Sequence, residues 1–262
     1  MTNTVLETIV KRKSVRAFED RTISLDVRNQ ILTAAMRAPT AGNLMLYTII
    51  EVNDQKKKDV LAKTCDNQPF IARAPWVLLF LADYQRWNDY FLTCGVQDYC
   101  EKEVLPFRQP EEGDLLLACC DAIIAAQTAV IAAESFGIGT CYIGDIMENF
   151  ETHRELFDLP RFTFPICLLC LGYPTKSQIT RPVTERFDKE FIVFQDNYKC
   201  LNNAEMQKMF FRLNEQIFKG KKHVDTAGNI GQLVYRRKFG SQFATEMNRS
   251  VRVILRRWID GK

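Results

Sequence analysis

The feature that most constrains the fold is an apolar stretch that ends abruptly at glycine. Leu115–Phe136 is apolar almost all round, which is typical of a helix packed inside a core rather than on a surface. Gly137-Ile-Gly139 follows it, and a glycine after a helix readily takes the left-handed cap conformation. A second glycine beside a strand often marks a place where another group approaches the backbone. We therefore predict a core helix, a glycine stop and a short strand, Cys141–Ile143.

Length and charge argue against several classes of protein. The chain has 262 residues and a formal net charge of +3, which is small for that length and does not indicate general nucleic-acid binding. Its first residues lack the basic-then-apolar order of a signal peptide. The longest apolar stretch is interrupted by Asp121, Gln127 and Glu134, so we expect no membrane span. We predict a cytoplasmic protein that binds neither a membrane nor a nucleic acid.

Nine cysteines raise the question of disulfides or a metal site. An odd count without a secretion signal does not favour disulfides. Cys167 and Cys170 have the spacing of a redox or zinc pair, but they lie in an apolar run that predicts a buried strand, Pro165–Leu171. Residues three apart in a strand face opposite sides of the sheet, so we expect reduced, structural thiols and no metal. Neither His153 nor His223 has a cysteine at ligand spacing.

The rest of the pattern predicts alternating helices and strands. Ser24 is a good N-cap for a helix that ends before Pro39. Trp76–Ala82 is a continuous apolar run, as expected of a central strand. The other predicted elements are helices over Thr2–Lys11 and Lys56–Lys63, strands over Leu46–Val52 and Phe191–Phe194, and a helical tail over Ala204–Lys262 with a break at Lys219–Gly231.

Three polar clusters suggest a binding site. Arg12–Arg16 offers two arginines, a lysine and a hydroxyl, which suit a phosphate, although a solvated basic turn would look the same. Ala38–Asn43 is a turn after a helix, and it offers backbone N–H groups and the side-chain amide of Asn43 to a ligand. The alternative is a loop that only ends the helix. Arg181-Pro182 follows a later turn and is uninformative by itself.

Together these residues resemble the FMN-dependent nitroreductase family, in its NADPH-nitroreductase and flavin-reductase branch. The matching stretches, in the family's order, are Arg12–Phe18, Ala38–Asn43, Asn67-Gln68, Ala132–Asp145, Leu171–Pro174 and Arg181-Pro182. The resemblance implies an α+β fold, with a mixed, mostly antiparallel central sheet wrapped by helices, in an intertwined homodimer that holds flavin at the subunit interface. We expect an FMN-binding domain over residues 1–200 and a helical extension over 201–262, packed on the same domain or on the dimer partner.

The resemblance also implies a set of cofactor contacts and no catalytic acid, base or nucleophile, because the flavin does the chemistry. Arg12, Ser14 and Arg16 match phosphate and ribityl contacts, while Arg181 matches a basic residue at the phosphate or the N1/O2 edge of the ring. Gln68 matches a glutamine on the polar side of the flavin. The implied FMN contacts are Arg12, Lys13, Ser14, Arg16, Thr40, Ala41, Asn43, Gln68, Tyr142, Ile143, Gly144, Asp145 and Arg181.

Two of the matching stretches have special positions in the family. Thr40, Ala41 and Asn43 match a loop that the partner subunit usually contributes. Tyr142–Asp145 matches a strand end over the central ring, where a backbone N–H near Gly144 faces the flavin N5. A backbone donor fixed on a strand holds its geometry without a group that titrates.

At three positions the chain departs from the relatives that it resembles. Asp145 stands where closer relatives carry glycine, Met45 replaces a glutamine, and Val183 stands where a second basic residue is often found. A carboxylate near N5 would destabilise the anionic reduced flavin by repulsion between like charges. We therefore expect Asp145 to lower the reduction potential of the flavin or to change the electron acceptor.

The implied activity is that of an NAD(P)H oxidoreductase with a ping-pong mechanism. NADPH or NADH reduces FMN and leaves, and a small planar electron acceptor such as a nitroaromatic, a quinone or a free flavin then takes the reducing equivalents. Two alternatives stay open. One is a flavin-binding carrier or redox sensor with little turnover, which Asp145 favours. The other is a specialised family member, such as a dehalogenating or ring-oxidising enzyme.

The C-terminal part of the chain is strongly basic. Lys219–Asp225 falls where closer relatives place a loop for the 2′-phosphate of NADPH, and a solvated basic loop is the alternative. The arginines of Arg236–Arg257 accompany apolar residues at helical spacing. That pattern favours an amphipathic helix packed on the dimer over a contact with a nucleic acid or an acidic partner.

Overall fold

Four strands form one antiparallel sheet. The computed structural model describes residues 3–261, so Thr2 and Lys262, the outer ends of two predicted helices, lie outside it. The strand order is β1-β2-β4-β3, and the strands are β1 Tyr47–Glu51, β2 Trp76–Asp83, β3 Gly139–Ile143 and β4 Thr163–Gly172. The three strand pairs among the described residues are all antiparallel, and a single parallel bridge joins Ser14 to Thr140.

Twelve helices accompany the sheet within the described residues. The first two begin where capping side chains accept from the backbone: Asn3 from the N–H of Leu6 at 3.1 Å, and Ser24 from that of Val27 at 3.4 Å. The helices are α1 Thr4–Lys11, α2 Leu25–Met36, α3 Gln55–Thr64, α4 Phe70–Arg73, α5 Gln85–Thr93, α6 Val96–Lys102, α7 Glu112–Ser135, α8 Phe150–Leu156, α9 Lys176–Thr180, α10 Asn203–Phe218, α11 Ile230–Val234 and α12 Gln242–Asp260.

The central strand β2 is buried along its whole length, which explains its uninterrupted apolar sequence. Its side chains alternate between two apolar clusters, one on each face of the sheet. The neighbouring strand β4 does the same, with Cys167 in one cluster and Cys170 in the other. The prediction that these two thiols face opposite sides of the sheet is therefore confirmed.

Helix α7 is the core helix that the apolar sequence predicts. Its inner face is rich in alanine and packs against the sheet and α2, because small side chains allow close approach. By length and composition alone α7 would also pass for a membrane span, a test that core helices of soluble proteins pass as well. The outer face stays exposed and apolar; it carries Leu116, Leu117, Ile123 and Ile124.

The chain divides into two compact units. The first combines Met1–Pro182 with Glu246–Lys262, and the second is Val183–Thr245. In the first unit, Ile254 and Trp258 of α12 are buried, so this basic helix contributes its apolar face to the core that holds the sheet. The predicted division into residues 1–200 and 201–262 stays a prediction.

One predicted strand is wrong. Phe191–Phe194 was expected to form a short strand, but Lys189–Phe191 is a 3₁₀ turn, Phe191 is buried, and Ile192 and Val193 are exposed. A strand needs a neighbouring edge to satisfy its backbone, and none of the described strands pairs with this segment. Helices α4, α5, α6, α8 and α9 were not predicted from the sequence, whereas the predicted break in the C-terminal helices is confirmed between Phe218 and Ile230.

Candidate functional site

The turn from α7 into β3 brings the basic N-terminal segment onto the sheet. Gly137 has φ +71°, the left-handed cap that a glycine stop predicts. A Cβ at Gly139 would lie 2.5 Å from Cγ2 of Val15, so the group that approaches this glycine is a side chain of the same chain. The N–H of Val15 donates to the carbonyl of Thr140 at 2.8 Å. Gly139 therefore lets Arg12–Arg16 lie directly on the start of β3.

The basic segment is tied to a second basic segment by reciprocal contacts. The ammonium of Lys13 donates to the carbonyls of Ile179, at 2.6 Å, and of Arg181. In return, the guanidinium of Arg181 donates to the carbonyl of Ser14. Residues far apart in sequence thus form one cluster, which we call the basic cluster and define as Arg12, Lys13, Ser14, Arg16 and Arg181.

Two side chains of the basic cluster keep unused hydrogen-bond donors. Nη1 of Arg12 is buried without an acceptor among the described residues, and the exposed Arg16 side chain makes no hydrogen bond there either. An unpaired buried donor costs free energy, so an external acceptor would stabilise it. Burial raises the pKa of the nearby Glu134 carboxyl, while the charge of Arg12 acts in the opposite direction. The basic cluster is therefore suited to bind an anion.

The opposite end of β3 offers two backbone donors. The N–H groups of Gly144 and Asp145 meet no acceptor within residues 3–261, because they begin the 3₁₀ turn Asp145–Met147. Gly144 is exposed, and a Cβ there would find Cε of Met147 no closer than 4.0 Å, so the space in front of it is open. The Gln68 carboxamide lies beside this turn and donates to Asp145 at 3.1 Å.

A buried glutamic acid that the sequence did not indicate lies behind the same turn. Glu148 is 5% exposed, and its Oε1 has no partner within residues 3–261. Burial, together with the carboxylates of Asp145, Asp66 and Glu246, raises the pKa of Glu148 to about 8. The raised pKa favours the protonated form of Glu148 at neutral pH. No sequence signal marks Glu148, because its surroundings include Asp66 and Glu246, which are distant in the chain.

The predicted loop Thr40–Asn43 lies away from the basic cluster. The carboxylate of Asp121 in α7 is 2% exposed and holds the loop: it accepts from the Thr40 hydroxyl and from two backbone N–H groups at 3.0 and 3.1 Å. Glu134, which accepts from Thr140 near the basic cluster at 3.1 Å, is thirteen residues further along α7. At a rise of 1.5 Å per residue that is about 20 Å. One chain therefore does not bring the loop to the basic cluster.

The two remaining predicted contacts lie within β3. Tyr142 is half-buried on one face of the sheet, where its hydroxyl donates to Gln127 at 3.3 Å. Burial raises the pKa of Tyr142, so the phenol stays neutral. Ile143 is buried on the other face, which leaves only its backbone for a ligand on the first face.

One of the three positions where the sequence departs from its relatives, Met45, has a structural role in the loop Thr40–Asn43. Met45 has φ +51°, and its N–H donates to the Thr40 hydroxyl at 2.8 Å, so Met45 helps to fix the loop. In the second unit, Asp225 of the basic loop Lys219–Asp225 pairs with Arg237. The lysines of that loop are exposed.

Open clefts also occur in the second unit. One of about 570 Å³ is lined by apolar and amide side chains such as Phe210, Phe211 and Asn214, without a charged group. It therefore lacks the residues that bind a phosphate or transfer a proton. The ends of β3 remain the place where donors, charge and open space coincide.

Comparisons with known proteins agree with the sequence resemblance. Residues 9–173, more than half of the chain, match the nitroreductase family. An FMN reductase (NAD(P)H) of Bacillus subtilis is 30% identical over 215 residues, which cover 82% of each chain. The crystal structure of nitroreductase A from Vibrio parahaemolyticus has a TM-score of 0.77 and 26% identity, over 93% of this chain and 94% of that chain. The NADPH:FMN oxidoreductase of Vibrio harveyi, solved in complex with NAD+, has a TM-score of 0.74 and 25% identity, over 95% of this chain and 98% of that chain. The chain belongs to the nitroreductase family.

Proposed function

We propose that this chain is an FMN-dependent NAD(P)H oxidoreductase that holds its cofactor along β3. The observation that carries the proposal is the separation of two unlike groups by one short strand. The basic cluster with its unpaired Arg12 guanidinium lies at Thr140, and the free N–H groups lie at Gly144. Four residues of extended strand span about 13 Å. FMN has the matching shape, since a dianionic phosphate and a flat ring that accepts hydrogen bonds are joined by a ribityl chain.

At the phosphate end, we assign charge-assisted contacts to Arg12 and Arg16, whose donors are free. Lys13 and Arg181 add positive charge, and their contacts with each other's backbone fix the shape of the cluster. Ser14 offers a hydroxyl beside them.

At the ring end, the N–H groups of Gly144 and Asp145 and the carboxamide of Gln68 orient the flavin, which supplies the hydride chemistry when it is bound. These groups do not change charge during a reaction, so they hold the same geometry before and after hydride transfer. Tyr142, which stays neutral, lies two residues before Gly144 on β3. No side chain of this chain is assigned a role as catalytic acid, base or nucleophile.

A second copy of the chain completes the proposed site. The outer face of α7 is apolar and exposed, as are Val5 and Val10 of α1, which suits a homodimer. Thr40, Ala41 and Asn43 lie about 20 Å from the basic cluster of their own chain, by the length of α7 that separates them. A partner's copy of this loop would fill the gap. We propose that the enzyme is a cytoplasmic homodimer.

NADPH or NADH is the proposed electron donor, and small planar molecules such as nitroaromatics, quinones or free flavins are the proposed acceptors. The open space in front of Gly144 suits a flat substrate. The exposed lysines of Lys219–Asp225 support NADPH, because ammonium groups attract the additional 2′-phosphate. A flavin carrier or redox sensor is the second candidate, favoured by the carboxylate of Asp145 near the ring end.

Anaerobic reduction distinguishes the two candidates. The purified protein, reconstituted with FMN, should lose its yellow colour with NADPH or NADH, and a nitroaromatic or quinone should restore the colour repeatedly. A yellow protein that stays oxidised with both donors would favour the carrier or sensor. A protein that binds no added FMN would contradict both.

A further inference from the structure

The side chain of Gln68 is held at two points. Its Nε2 donates to the carbonyl of Cys65 at 3.0 Å and to Oδ2 of Asp145 at 3.1 Å. Both partners can only accept, because one is a backbone carbonyl and the other a carboxylate. The amide must therefore turn its NH₂ end towards them, and both of its N–H groups are used.

The orientation of the carboxamide leaves one functional atom free. Oε1 of Gln68 accepts no hydrogen bond from any of residues 3–261. Gln68 is half-buried, and its Oε1 is not fully enclosed by the protein, so this oxygen can be reached from outside. It is available to an N–H donor on a ligand.

The two anchors of Gln68 are themselves fixed. Cys65, the first anchor, is fully buried. Asp66 and Asn67 have φ +55° and +49°, and this tight turn brings the Gln68 side chain back to the carbonyl of Cys65. On the other side, Nδ1 of the buried His153 contacts the carbonyl of Ile146 at 2.8 Å, which holds the Asp145–Met147 turn. The Gln68–Asp145 contact thus joins two rigid loops.

We propose that Asp145 is a positioning residue, which locks Gln68 so that Oε1 presents an acceptor beside the free N–H groups of Gly144 and Asp145. The three groups then offer donor, donor and acceptor. The flavin edge that begins at N5 offers the complement, with N5 and O4 accepting and N3–H donating. The inference rests on the proposed FMN site and adds to it the reason for an aspartate after Gly144.

The role of Asp145 in this arrangement is geometric, and it does not depend on the sum of charges nearby. Asp66 belongs to the same acidic group around Glu148, but it makes no contact with Gln68. Replacing Asp66 therefore removes one neighbouring charge and leaves the carboxamide locked. This makes Asp66→Asn a matched control for charge.

The test compares the binding of FMN with that of 3-methyl-FMN, which lacks the N3–H donor. Dissociation constants are measured by flavin fluorescence for the full chain and for Asp145→Gly, Asp145→Asn, Gln68→Ala and Asp66→Asn, each checked for folding by thermal melting. In the unmodified chain, the 3-methyl compound should bind on the order of tenfold more weakly, the scale of one hydrogen bond. Asp145→Gly and Gln68→Ala should lose most of this preference. Asp145→Asn, which keeps an accepting oxygen, and Asp66→Asn should retain it.

The outcomes separate this inference from the proposed function. A preference for FMN that persists in Asp145→Gly would overturn the positioning role, whatever the result for Gln68→Ala. So would a preference that disappears in Asp66→Asn, because charge rather than geometry would then decide it. If the unmodified chain bound neither flavin, the FMN site itself would be wrong. Should Asp145→Gly fail to fold, Asp145→Ala, which also lacks the accepting oxygen, takes its place in the comparison.

Discussion

The two ends of β3 are built on different physical principles. At the Thr140 end, charged side chains from two distant segments converge, and at least one guanidinium keeps an unpaired donor. At the Gly144 end, the donors are backbone N–H groups, and the nearby side chains are acidic or neutral. Arginine stays protonated at any ordinary pH and suits a ligand group with a permanent charge. Fixed dipoles suit a group whose charge changes during its reaction.

The two ends also differ in how they are held. The basic cluster depends on contacts over long sequence separations, such as that between Lys13 and Arg181. The Gly144 end is a local 3₁₀ turn, supported by His153 from the following helix. Changes at the first end should therefore affect ligand binding and folding together, whereas changes at the second should be separable.

The largest expected effect lies in the basic cluster. Arg12→Ala should weaken FMN binding by roughly 10- to 150-fold, because a lost charge-assisted hydrogen bond costs about 1.5–3 kcal/mol. Flavin fluorescence measures the dissociation constant, with Arg37→Ala, an exposed arginine outside the cluster, as the control.

Lys13→Met should lower the melting temperature and weaken FMN binding less than Arg12→Ala, since the Lys13 ammonium is engaged by carbonyls. Equal losses of affinity in all three variants would mean that the general positive charge of the protein, and not a specific contact of Arg12, binds the phosphate.

A glycine at each end provides the second comparison. Gly139→Ala should destabilise the fold by about 1–3 kcal/mol, because the added methyl overlaps the Val15 side chain. Gly144→Ala should change the free energy of unfolding by less than about 0.5 kcal/mol, since its φ is negative and the space beside it is open. Urea titration of both variants checks this. Adding Val15→Ala to Gly139→Ala should recover part of the loss; no recovery would mean that Val15 is not the obstacle.

The smallest effect concerns pH at the acidic end. The folded state keeps the Glu148 proton up to a pKa of about 8, while the unfolded chain releases it near 4.5, so stability falls as pH rises between those values. Glu148→Gln removes this penalty. The difference in melting temperature between Glu148→Gln and the unmodified protein should therefore increase by several degrees as the pH rises across that range. Glu151→Gln is the matched control with the opposite sign, because Arg249 lowers the pKa of Glu151. A difference for Glu148→Gln that is constant with pH would contradict the buried, protonated state.

Some elements could be predicted because their cause is local. The apolar run of β2 needs burial on both faces whatever its neighbours are, and the glycine after α7 takes the left-handed cap for reasons of backbone sterics alone. Phe191–Phe194 failed for the opposite reason. Its apolar residues fit a strand equally well, but no described edge is available to pair with it. Family resemblance, which depends on the order of several motifs, was confirmed.

The sequence by itself determined the family, the α+β class, the core helix and the basic and glycine-rich segments that the proposed site uses. Each of these depends on composition, periodicity or the order of motifs, and all three can be read directly from the sequence. Tertiary structure alone decided that Val15 occupies the space at Gly139, that Glu148 is buried beside Asp145, and that Asp145 holds Gln68. Val15 and Gly139, like Gln68 and Asp145, are distant in the chain, and the burial of Glu148 depends on Asp66 and Glu246, which are distant from it. Sequence order does not specify such burial or such distances.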